Sequence, residues 1–202
     1  MKRALTGLVL VVVFAICAVA AAAASAAEFT GPVGKAISGT GGTQTFTIFD
    51  PEAHKVTCKK DSVSGKVESS PSKTAAESVT FESCSGFGGT VKVETGSFVF
   101  KAPEGSIPGS GTVEVAKALL VENKTAKCKV TVTTAGNSAL SKIEFGSLMV
   151  GVEATPNVSG ISYTVAEGGT TACGTAGSYS NGTYVGEVTT VNTTEGEALM
   201  VL

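Results

Sequence analysis

From residue 43 to the end of the chain, apolar and polar residues alternate in short runs, each closed by a turn signal. In 43–49 (TQTFTIF), Phe46 and Ile48 share one face. Val56 and Cys58 share a face in HKVTCKK, and Val63 and Val67 continue that strand after a kink. Residues 78–84 put Val79 and Phe81 inward and Thr80 and Glu82 outward. Residues 90–94 and 97–101 read as two strands around Thr95-Gly96. The run 112–122 alternates through Val113, Val115, Leu119 and Val121, and 127–133 alternates cleanly. Segments 142–145, 148–152, 160–166, 183–191 and 197–202 complete the set. Successive side chains of a strand point to opposite faces, so a period of two in Val, Thr, Phe and Tyr marks half-buried strands. Helical periodicity is almost absent after the N-terminus. The one segment with helical propensity, 114–121 (EVAKALLV), alternates well enough to be assigned to a strand.

Turn residues are dense at 39–43, Asp50-Pro51, 86–89, 103–111, Gly168-Gly169 and Asn181-Gly182. Asn-Gly between strand-like runs is a strong hairpin signal. Together these predict an all-β fold, an antiparallel β-sandwich (immunoglobulin-like or related) of about 10–12 short strands. Residues 43–202 are expected to form one domain, with 28–42 a flexible, glycine-rich lead-in. The Pro/Gly/Ser-rich stretch 103–111 marks where the chain could divide into two small sheets. A single sandwich is preferred, because either half alone holds few aromatics to fill a core.

The N-terminus follows a different pattern. Lys2 and Arg3 precede an uncharged run whose apolar centre is LTGLVLVVVFAI, followed by small residues ending Ser25-Ala26-Ala27. A basic start, a short apolar middle and a small-residue exit describe a secretory signal peptide. Residues 1–27 are read as that helical leader, with cleavage after Ala27 and the Ala26–Ala27 bond as second choice. The rival is an uncleaved membrane anchor over residues 4–24, which just reaches the length a span needs, but its second half is nearly all alanine. Cys17 follows Ile16, where a lipidation site wants a small residue.

Without the leader, the chain carries 13 Lys, no Arg and 17 acids, a net charge of −4. Scattered lysines and a missing arginine argue against nucleic-acid and phospho-ligand binding, which rest on clustered cations and bidentate guanidinium contacts. Four cysteines remain: Cys58, Cys84, Cys128 and Cys173. An even number in an exported chain reads as disulfides. Cys58–Cys84 and Cys128–Cys173 are favoured of the three pairings, each pair being close in sequence. Without a CxxC, and with His54 the only imidazole, neither a metal site nor a thiol-redox site is expected.

No G-x-S-x-G, HExxH or phosphate-binding loop occurs, and no cofactor is implied. The densest polar cluster is Asp50, Glu52, His54 and Asp61, read as a solvated turn rather than an acid–base or calcium site. Four N-x-S/T sequons begin at Asn123, Asn157, Asn181 and Asn192, few enough to arise by chance among 26 threonines. An outer-membrane barrel would need aromatic girdles, which 8 Phe and 3 Tyr after the leader supply poorly.

The segments AEFT after the leader, KVTCKK at 55–60, SCSGFG at 83–88, KCKVTV at 127–132, GISYTVAEGG before Cys173 and GTYVGEVTT at 182–190 carry a resemblance. The chain resembles uncharacterised secreted, β-rich proteins of high-GC soil actinobacteria. The resemblance implies a leader, disulfides and a β fold, and no activity. The expected function is therefore a secreted or envelope-associated structural or binding protein with an extracellular or cell-wall ligand, non-catalytic, and free of the membrane once its leader is removed. One alternative is a carbohydrate-directed hydrolase with a dispersed carboxylate pair. Another is weak self-association or surface assembly through edge strands.

Overall fold

The computed structural model describes residues 26–48, 54–149, 151–166 and 173–202. The leader up to Ser25, Asp50, Glu52 and the Gly168-Gly169 turn lie outside the described residues. Sixteen strands are formed among the described residues: β1 (Phe29–Thr30), β2 (Ala36–Gly41), β3 (Gln44–Thr47), β4 (Lys55–Lys66), β5 (Thr74–Gly86), β6 (Gly89–Thr90), β7 (Lys92–Val93), β8 (Gly96–Lys101), β9 (Gly109–Lys117), β10 (Leu119–Asn123), β11 (Cys128–Val132), β12 (Leu140–Ser147), β13 (Val152–Val165), β14 (Gly177–Gly186), β15 (Thr189–Thr193) and β16 (Met200–Val201). The fold is all-β and every pairing is antiparallel. At 12, 13 and 14 residues, β4, β5 and β13 are longer than the short strands expected.

Hydrogen bonding follows the order β12-β9-β8-β5-β4-β2-β15-β13, and β13 pairs again with β12. The two layers expected of a sandwich are thus joined at both margins into a ring of eight strands. An immunoglobulin arrangement would keep its two sheets separate. Beyond this ring, β3 continues the line of β2 along β4, and β14 continues that of β15 along β13. There β11 pairs with β13, β10 with β11, β7 with β10 and β6 with β5, while the Val91 N–H donates to the Cys84 carbonyl at 3.0 Å. These bonds complete a second, smaller circuit on the far halves of the long strands.

The long strands serve both circuits by changing their buried parity once. Buried positions run Val56, Cys58, then Asp61, Val63 on β4, and Val79, Phe81, then Cys84 on β5. On β5 the change falls beside Ser83, whose φ is +54°. On β13 it falls at Gly160, with φ +76°, between buried Val158 and Ile161. A positive φ is accessible to glycine without steric cost and reorients the strand locally.

Several sequence expectations are corrected here. The lead-in 28–42 is not a flexible segment: it supplies β1 and β2, and β2 is paired on both sides, with β4 and β15. Its glycines permit close approach rather than looseness. A Cβ at Gly39 would lie 2.5 Å from the Thr190 carbonyl oxygen, and one at Gly41 2.1 Å from Asp61 Oδ1. Of the stretch 103–111, residues 103–108 connect the paired strands β8 and β9 and 109–111 open β9, so the ring draws strands from both sides of it. Asn181-Gly182 is no hairpin turn but lies within β14. Gly182 packs against Ile161 and Tyr163, and the Tyr163 hydroxyl donates to Asn181 Oδ1 at 2.9 Å. Of the strand expected at 148–152, Leu148 and Met149 lie outside any strand, with Met149 91% exposed, and Val152 opens β13.

One end of the ring is covered by β1 and β16. β1 pairs with β16, and Glu28 and Leu202 exchange backbone hydrogen bonds at 2.8 and 3.0 Å. Phe29 meets Phe145 edge-on at 5.5 Å, and Leu199 and Val201 are buried with them. Ala27, expected as the last residue of the leader, is buried here, and its N–H donates to the Pro103 carbonyl at 3.0 Å.

Candidate ligand cavity

The eight-stranded ring encloses a cavity of about 130 Å³. Six phenylalanines line it: Phe29, Phe46, Phe81, Phe98, Phe100 and Phe145. Phe46 stacks on Tyr184 at 4.7 Å and meets Phe81 edge-on at 5.1 Å, while Phe100 meets Phe145 edge-on at 6.4 Å. Alternation puts these rings inside, because each shares a face with the aliphatic residues of its strand. Phe46 follows Gln44, and Phe98 and Phe100 stand opposite Val115 and Val113 in register. The exposed lining residues Lys66, Glu68, Ser69 and Thr74 lie where β4 passes to β5, and there the cavity meets solvent.

The wall contains one closed polar network. Gln44 is fully buried and Asp61 is 2% exposed. Gln44 Nε2 donates to Asp61 Oδ1 at 3.1 Å, Thr189 Oγ1 donates to Asp61 Oδ2 at 2.9 Å, and the Tyr184 hydroxyl donates to Gln44 Oε1 at 2.7 Å. Burial pushes the Asp61 carboxyl above its ordinary range, and the hydrogen bonds from Thr189 and Gln44 partly pull it back. Burial, with Asp61 nearby, holds the Tyr184 phenol well above its usual range. The network fits only because β14 brings a glycine beside it: a Cβ at Gly186 would lie 1.6 Å from Gln44 Oε1. Every buried polar group being partnered, this cluster fixes the register where β2 gives way to β3.

Glu77 is different. It sits on β5 between Gly65 of β4 and Phe98 of β8, in the same inward parity as Val79 and Phe81. The side chain is half-buried; among the described residues its carboxyl makes no hydrogen bond or ion pair, and burial alone raises its pKa to about 7. A Cβ at Gly65 would lie 3.3 Å from Glu77 Cγ, so the missing side chain leaves the acid its space.

The expected disulfides Cys58–Cys84 and Cys128–Cys173 are both formed, with Cα atoms 3.9 and 5.4 Å apart. The first joins directly opposed residues of β4 and β5, and the second ties β11 to the described residues just before β14. Of the polar cluster of the sequence reading, Asp50 and Glu52 lie outside the described residues, and His54 and Asp61 are not brought together. His54 precedes β4, while Asp61 lies seven residues along it, about 23 Å away at the rise of an extended strand. Asp61 is a buried network member rather than a solvated turn residue. Sequence reasoning passed over Gln44, Glu77, Tyr184 and Thr189. The signal for two of them was present: Gln44 has the parity of Phe46 and Ile48, and Glu77 that of Val79 and Phe81, so each put a polar group on an apolar face. Of the sequon asparagines, Asn123 is 1% exposed and donates to the Gly86 and Phe87 carbonyls, which closes it to modification in the folded state.

Among the described residues, no group of three or more His, Cys, Asp or Glu is placed to hold a metal ion. No described helix is long and apolar enough to cross a membrane. Comparison of the chain with protein families, characterised proteins and solved structures found no match.

Proposed function

We propose that the protein is a secreted, non-catalytic binding protein of the extracellular space or cell envelope, holding a small apolar molecule inside its ring of strands. The aromatic-lined cavity of about 130 Å³ carries this reading. An apolar cavity of roughly 150 Å³ stays dry and takes up benzene or xenon. Eight-stranded rings are just wide enough to be filled or to hold one small ligand. Two disulfides support an oxidising compartment. The hydrolase alternative is less well supported: Asp61 is occupied by Gln44 and Thr189, and Glu77 stands among apolar side chains. Assembly through the Thr-rich strand β15 is also less well supported, because β13 and β2 cover both its sides.

Thermal unfolding with toluene tests the binding reading. At a concentration tenfold above its Kd, a bound ligand adds about 1.4 kcal/mol. For a chain of this size, that raises Tm by about 3–6 °C. An unchanged Tm with toluene, benzyl alcohol and benzylamine alike would overturn it.

The leader is proposed to end ahead of Ala27. Cutting after Ala27 would remove a buried side chain and its hydrogen bond to Pro103. The intact mass of the secreted protein is expected to include Ala27; a chain starting at Glu28 would contradict this.

A further inference from the structure

The cavity lining contains a mismatch that a plain apolar ligand leaves unresolved. Glu77, half-buried, stands among phenylalanines and valines of the lining, and among the described residues its carboxyl has no hydrogen bond or ion pair. The titratable groups around the same space are Asp61, Lys66 and Glu68 from β4 and the turn after it, and Tyr184 from β14. Asp61 and Tyr184 are tied into the wall network, and Lys66 and Glu68 are exposed at the mouth. Three acids therefore face one lysine around the cavity. Phe98 stands directly opposite Glu77 on β8, on the same inward face. Cross-strand neighbours have Cβ atoms about 4.5–5.5 Å apart.

We propose that the ligand is an apolar primary amine of about benzene size, whose ammonium group pairs with Glu77 and lies against the Phe98 ring while its tail fills the aromatic interior. The proposal rests on the binding reading above and names its substrate class. A cation is the head group that offsets the cost of an ionised Glu77, because each half-desolvated charge then meets its opposite. The ring face of Phe98 adds a cation–π contact. A carboxylate ligand would meet only like charges beyond Lys66. A neutral ligand would leave the Glu77 carboxyl as it stands, held near a pKa of 7 by burial. Position agrees with chemistry. Glu77 lies one inward step from Ala75, close to the mouth at Thr74, so the head group stays near solvent and the tail goes deep. The proton balance is explicit. Below about pH 7, Glu77 enters the complex neutral and leaves its proton to solvent as the ammonium ion binds; above it, no proton is released.

Isothermal titration of the secreted protein with benzylamine, benzyl alcohol and benzoate, three probes of one size, decides the matter. Benzylamine is expected to bind at least about tenfold more tightly than benzyl alcohol, and benzoate more weakly than both. In Glu77→Gln the amine preference is expected to vanish while benzyl alcohol affinity stays within about threefold. Independently of any variant, titrations at pH 6 in buffers of different ionisation enthalpy should show close to one proton released per benzylamine. If benzyl alcohol or benzoate matches benzylamine, if the preference survives in Glu77→Gln, or if no proton is released, the amine proposal is wrong while the cavity reading stands. If benzylamine, benzyl alcohol and toluene all fail to bind, both are wrong.

Discussion

Replacing Cys128 and Cys173 together by alanine is expected to lower stability by about 4 kcal/mol, and replacing Cys58 and Cys84 by no more than about 3.5 kcal/mol. The first bridge spans 45 residues and the second 26, so opening the first restores more freedom to the unfolded chain. Native geometry widens the gap. Cys58 and Cys84 are directly opposed in a ladder that holds from Val56–Gly86 to Gly65–Glu77, so hydrogen bonds keep them together without sulfur. Cys173 belongs to no strand, and its bridge to β11 is a tether the ladders do not duplicate. Urea unfolding of the secreted protein and the two double variants measures this. A Cys128/Cys173 loss below about 1 kcal/mol, or the reverse order, would contradict the argument.

Stability is also expected to fall as pH rises from about 4.5 to 7, through Glu77. The folded carboxyl holds its proton up to about pH 7, whereas the exposed group in the unfolded chain releases it near the ordinary value of 4.5. Within that window the folded state binds more protons than the unfolded state, so raising pH favours unfolding. The stability is fully present below the unfolded value and lost by the folded one. Asp61, also raised by burial, acts in the same direction. For Glu77 the full span is worth about 3 kcal/mol. Glu77→Gln keeps the shape and removes the titration. Its Tm relative to wild type is expected to climb between pH 4.5 and 7.5, by several degrees at the upper end. Parallel pH profiles for the two proteins would show that Glu77 is solvated. An amine ligand would reverse the penalty, so benzylamine should stabilise wild type most at the pH where the free protein is weakest.

The two acids show how a β-ring treats the same residue type in two ways. Asp61 sits where the chain supplies Gln44 and Thr189 as donors, and the result is a closed network that pins register. Glu77 sits two strands from the nearest such donor, between a glycine and a phenylalanine, and remains uncompensated. A half-buried carboxyl among apolar side chains loses part of its hydration, and that cost directs attention to a ligand.

Much of the local structure follows from the sequence alone. The period of two gives the strands, the even cysteine count gives the disulfides, and the lack of helical periodicity gives the all-β class. These are local or pairwise properties, decided by which face of a strand is apolar and how close two cysteines lie in the chain. What only the tertiary structure decided is how far the sheet closes. The pairing of β12 with β13 joins residues distant from the first strands, and no local pattern distinguishes a closed ring from two stacked sheets. The same closure reassigned the glycines at 39–42: a glycine-rich stretch reads as a linker until its neighbours reveal how tightly they press on it. It also turned Glu77 from one of fifteen glutamates into the polar group of an apolar cavity. Its inward parity was visible in the sequence. That the inward side is an enclosed space, with Phe98 across from it, is set by strands paired around β5.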